Sequence, residues 1–76
     1  MELPKRITMT KGVCSGKPCI AGTRIAVHLM LSFMAGGETI ESILQAYPQL
    51  KREDLLACLE FAAMLAQENA ALVAAG

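Results

Sequence analysis

The chain has 76 residues, the size of one small domain (1–76), and an interior this small leaves little room for an enclosed active-site cleft. It is 54% hydrophobic and only 18% charged, more apolar than such a core can bury, so part of its surface is expected to meet another chain. A net charge of zero rules out attraction to nucleic acid by the molecule as a whole, and no run reaches the roughly 18 apolar residues of a membrane span.

The charge is unevenly distributed. Up to Arg24, the basic residues Lys5, Arg6, Lys11, Lys17 and Arg24 face only Glu2, whereas beyond it Lys51 and Arg52 face Glu38, Glu41, Glu53, Asp54, Glu60 and Glu68. A basic arm on an acidic body is equipped for local phosphate contact only. The start, MELPKRI, leads into no signal-peptide core, and three cysteines without an export signal read as reduced thiols, so the cytoplasm is the expected compartment.

In chain order, RITMT alternates with period two and PCIAGTRI is bounded by Pro and Gly, which predicts a short hairpin within residues 6–26. At Val27 the period changes. Val27, Met30, Leu31 and Met34 recur at helical spacing, His28 and Ser32 fall on the polar side, and Gly36-Gly37 ends the run, predicting a first helix over 27–35. Thr39 is placed to cap a second helix over 39–46, whose apolar face is Ile40, Ile43, Leu44 and Tyr47 and which Pro48 stops. A third helix is expected over 52–73, with Lys51 as a poor N-cap, Leu50 and Leu55 at the spacing of a hydrophobic staple, and Glu53 and Asp54 as first-turn acids. Leu55, Leu59, Ala62 and Ala66 form its expected core stripe, broadened by Leu56, Ala63 and Ala70. Such a helix outruns a three-helix domain. Its second half is expected to project, with Leu65 and Leu72 seven residues apart beside Ala62, Ala66 and Ala70 as the seam of a homodimer.

The segment GVCSGKPCIAG, residues 12–22, is the place to look for chemistry, and three chemistries fit it poorly. A phosphate-binding loop needs G-x-x-x-x-G-K-[ST] opening a helix; here Gly12 and Gly16 are too close, Pro18 replaces the hydroxyl, and a strand-like run follows. A structural zinc needs four ligands at paired spacings, and Cys14, Cys19 and His28 do not supply them. A catalytic set would need a partner for the single histidine, and none stands near it in sequence. No enzyme activity, metal, cofactor or small-molecule substrate is therefore expected. Gly16 and Gly22 at positive φ, Pro18, Thr23 and Arg24 are read as a structural turn, with Arg24 expected to tie the hairpin to the acidic helical body.

The run from Gly12 to Ala63 resembles the domain-of-unknown-function family 433. Gly16, Lys17, Pro18, Gly22, Thr23, Arg24, Gly36, Tyr47, Pro48, Leu50, Glu53 and Asp54 match its pattern in order, over roughly residues 7–63. Ala26 stands where the family usually has a proline and Lys51 where it usually has a hydroxyl cap, so both helix starts are softer. The resemblance implies a mostly α fold, a short N-terminal β-hairpin and arm (1–26) followed by a homeodomain-like, three-helix helix-turn-helix bundle (27–75) with a long third helix. It also implies an antitoxin-like role beside a PIN-like ribonuclease toxin, as part of a toxin–antitoxin pair.

Two functions follow as expectations. In the first, the chain is a DNA-binding, autoregulatory antitoxin that contacts phosphate through Lys51 and Arg52 at the start of the third helix and through Lys5, Arg6 and Lys17 of the arm. In the second, it is an interaction module without a DNA role, dimerising or covering a partner through its third helix.

Overall fold

The computed structural model describes the backbone of residues 3–75 and side chains as far as Glu68. A two-stranded antiparallel hairpin, β1 (Ile7–Thr8) and β2 (Cys19–Ile20), precedes three helices: α1 (Val27–Ala35), α2 (Ile40–Ala46) and α3 (Arg52–Ala75). The fold is the mostly helical one expected, with strands shorter than the alternation predicts. Ile7 pairs with Ile20 and Thr8 with Cys19, and Cys19 also bridges Ala26 on its other side. β2 ends early because Gly22, at φ 76°, turns the chain back, and Thr23 Oγ1 locks the turn. That hydroxyl donates to the Ile20 carbonyl at 2.7 Å and accepts the Ile25 N–H at 3.0 Å.

The helix starts and the end of α1 each have an identifiable cause. Ala26 offers α1 no side-chain cap, and the Pro18 carbonyl instead takes the Val27 N–H at 3.0 Å, so the hairpin itself satisfies an orphan donor of the first turn. α1 ends in a Schellman motif: Glu38 N–H reaches the Phe33 carbonyl, Gly37 N–H reaches that of Met34, and Gly37 takes φ 100°. Thr39 caps α2 as its sequence position predicts, its hydroxyl accepting the Ser42 N–H at 3.1 Å.

α3 starts at Arg52, and its cap is one the sequence reading did not foresee. Lys51 has no acceptor side chain, and the Asp54 carboxylate reaches back to its N–H at 2.8 Å, half of a capping box. The hydrophobic staple is present, Leu50 and Leu55 being 6% and 0% exposed. The core centres on Ile20, Val27, Met30, Leu55 and Cys58, so the hairpin, α1 and α3 share one interior, with Ile43 contributed by α2.

The buried face of α3 differs from the expected stripe. Leu55, Ala57, Cys58 and Phe61 are inside together with Asp54, whereas Leu56 and Leu59 are 46% and 41% exposed. At about 100° per residue the core lies beside Phe61 and Cys58, nearly opposite Leu56, and Leu59 is turned out with it. Leucine identity alone misplaced Leu59: α1 and the hairpin approach α3 from the side of the aromatic ring and the thiol.

Candidate interaction surface

Of the expected phosphate-contacting residues, Lys5 and Arg6 lie beside the start of α3, which Lys51 and Arg52 open, while Lys17 borders a separate groove against α1. Arg52 Nη1 lies 2.9 Å from Glu41 Oε1, an ion pair that fastens α3 to α2. Glu41 is correspondingly held below its ordinary carboxylate range, first by its own backbone amide and then by Arg52. Arg6 is also engaged, with Nη1 3.0 Å from Asp54 Oδ1 and Nη2 4.0 Å from Glu53. Lys5, Lys17 and Lys51 are exposed and enter no salt bridge among the described residues. Of the two basic residues at the start of α3, Lys51 is therefore the one without a salt bridge among the described residues, with the Glu53 side chain 60% exposed close by.

The turn residues behave as structural parts, with one correction. Gly16 and Gly22 take φ 78° and 76°, Pro18 supplies the carbonyl that caps α1, and Thr23 closes its turn. Arg24 does not tie the hairpin to the body: its side chain is exposed and, among the described residues, forms no ion pair or hydrogen bond. It lies at the outer edge of the turn, where only its carbonyl is used, accepting the Cys14 thiol at 3.2 Å. Arg6 makes the tie instead, because β1 runs directly against the start of α3.

Cys14 and Ser15 hold positive φ values of 51° and 55°, which non-glycine residues seldom adopt, and this bend carries the Cys14 thiol toward Arg24. Burial, and next a hydrogen bond with Cys19, push the Cys14 thiol above its ordinary range. Cys58 is fully enclosed. Among the described residues no three His, Cys, Asp or Glu side chains converge as a metal site would require, and no helix is long and apolar enough to cross a membrane.

The expected dimer seam is divided. Leu65, 36% exposed, faces a groove against α1 lined by Pro18, Val27, His28, Leu31 and Phe61. Ala62 is half-buried and Ala66 exposed, so the three do not share one open face. The side chains of Leu72 and Ala70 lie outside the described residues.

What the structure leaves open is a strip made of part of the expected apolar stripe, Leu59 and Ala66, and of Leu56 and Ala63, which broaden it. Leu56, Leu59, Ala63 and Ala66 are all exposed and follow one another at intervals of three, four and three, the spacing of heptad a and d positions. They lie on the side of α3 away from Phe61 and Cys58. That spacing was present in the sequence; only the direction of the core shows that it is an outer seam.

A hairpin whose carbonyl starts the first of three helices, and whose arginine anchors the third, defines a small compact class of helical domain. The family model described as "Protein of unknown function (DUF433)" matches residues 7–62, and the chain belongs to that family. The crystal structure of a DUF433 member protein from Anabaena variabilis ATCC 29413 is similar at 30% identity with a TM-score of 0.76, over 91% of this chain and 68% of that one. No curated protein shows significant similarity to the chain.

Proposed function

We propose that this protein is an interaction module that holds another polypeptide against the outward face of α3. The observation that carries this function is the pair Leu56 and Leu59, 46% and 41% exposed on one helix face and continued by Ala63 and Ala66. Two large aliphatic side chains on a continuous helical strip resemble the centre of a protein interface more than a solvated face. Two of the cations near this face are held by acids, Arg52 by Glu41 and Arg6 by Asp54. That leaves Lys51 and Lys5, the latter bordering the same groove as Leu56, as the unpaired ones among the described residues and makes the apolar pair the stronger feature of the face. An antitoxin-like role beside a PIN-like ribonuclease, implied by the family resemblance, is one form of this function. Co-purification of the native operon's products tests it. Polypeptide retained by the natural chain and lost from Leu56→Glu with Leu59→Glu is the expected result, and retention by that variant overturns the proposal.

A second function, autoregulatory DNA binding, draws support from one feature. Lys5, Lys11, Lys17 and Arg24 of the arm and turn are exposed and unpaired among the described residues. If these cations meet phosphate, binding to the operon's upstream DNA falls steeply with salt and each Lys→Ala change reduces the salt slope by about one. A mobility shift absent at low salt excludes it.

A further inference from the structure

We propose that the polypeptide held by α3 is a second copy of this chain, paired antiparallel so that Leu56 and Leu59 of one protomer sit on the partner's Ala66 and Ala63. This rests on the interaction function above and names its occupant.

The choice of occupant comes from the order of side-chain sizes along the seam. Its two large residues, Leu56 and Leu59, come first and its two small ones, Ala63 and Ala66, follow. In an antiparallel pair, a positions of one helix pack against d positions of the other. Placing Leu56 opposite Ala66 also places Leu59 opposite Ala63, and the two-fold axis repeats both contacts. Every one of the four layers then holds one leucine and one alanine, so the axes can run at one close separation along the seam. A parallel pair stacks leucine on leucine at one end and alanine on alanine at the other, which splays the helices. The strip is thus complementary to itself in one direction only.

A second observation calls for the same partner. Among the residues whose side chains are described, the last buried one of α3 is Phe61, and Ala63, Leu65, Ala66, Gln67 and Glu68 beyond it are exposed while the helix continues to Ala75. A helix over residues 62–75 is about 21 Å long at 1.5 Å per residue, and a helical stretch of that length draws most of its stability from packing an apolar face. Antiparallel pairing lays Ala63 and Ala66 of each copy against Leu59 and Leu56 of the other and so supplies such packing to both helices. In this register the exposed Glu60 side chains of the two copies flank the seam on the same side, so they oppose association and salt relieves the opposition.

Sedimentation equilibrium over a concentration series, with the full chain under reducing conditions, reads the association. A monomer–dimer equilibrium that tightens with salt or with Glu60→Gln is expected. Leu56→Glu with Leu59→Glu abolishes the dimer while far-UV circular dichroism is unchanged, because both leucines are outside the monomer core. Direction is read by Leu59→Cys with Ala63→Cys in a Cys14→Ser background, oxidised by the disulfide of glutathione. A covalent dimer from the double-cysteine variant and none from Leu59→Cys alone is expected. A parent chain monomeric at all concentrations overturns the second copy as occupant, and if α3 still captures a different operon product, the interaction function survives without it. Cross-linking by Leu59→Cys alone overturns the antiparallel register.

Discussion

The Arg6 guanidinium meets one oxygen of Asp54 at 3.0 Å while the other oxygen of the same carboxylate accepts the Lys51 N–H at 2.8 Å. One buried side chain thus starts α3 and anchors the N-terminal hairpin to it. Asp54→Ala removes a charge-assisted bond and a cap together and is expected to cost about 2–4 kcal/mol. Arg6, with 43% of its side chain exposed, is worth less: Arg6→Ala is expected to cost about 1 kcal/mol. Urea unfolding of both variants and of the double variant measures the coupling, and a coupling indistinguishable from zero counts against the shared role. Arg24→Ala, exposed and without a side-chain partner, is expected to stay within about 0.5 kcal/mol of the parent.

The half-formed capping box at α3 predicts a stabilising substitution. Lys51→Thr supplies the missing hydroxyl acceptor and takes a positive charge away from the positive end of the helix. A gain of about 0.5–1 kcal/mol is expected in the melting transition. A lower melting temperature would contradict the cap assignment.

The cap on α2 is already complete, so its removal has the opposite sign. Thr39→Ala is expected to cost about 1 kcal/mol, whereas Thr39→Ser is near neutral because the hydroxyl that accepts the Ser42 N–H is kept. Equal losses for the two substitutions would point to the methyl group instead.

Burial, with the Asp54 charge second, pushes the Cys58 thiol from 9.0 up to about 11. The folded state therefore keeps a proton there that the unfolded chain loses. This contribution is fully present below pH 9 and is lost as pH rises toward 11, with an upper bound of roughly 2–3 kcal/mol. Urea midpoints of the parent and of Cys58→Ala at pH about 8 and about 10.5 isolate it, since other groups titrate in both proteins. The parent should lose more stability than the variant over that interval; parallel losses would refute the assignment.

Much of the fold was legible in the chain because its signals are local. The change from period two to period 3.6 at Val27, the Gly36-Gly37 stop and the Thr39 cap each depend on residues within one or two turns, and the helices run where those signals put them. The α3 cap was hidden for a related reason: Asp54 was identified as a first-turn acid, but only its burial against Arg6, 48 residues away, shows the second role.

By itself, the sequence determined the order, type and approximate extent of the helices, the turn built on Gly16, Gly22 and Thr23, and the presence of more apolar surface than the core accommodates. The tertiary structure decided which arginine ties the hairpin down and which face of α3 remains outside. α3 carries apolar residues on most of its circumference, so periodicity fixes that it is a helix without fixing its rotation about its own axis. That rotation is set where the hairpin, α1 and Arg6 dock, and docking against Asp54, Cys58 and Phe61 turns Leu56 and Leu59 outward.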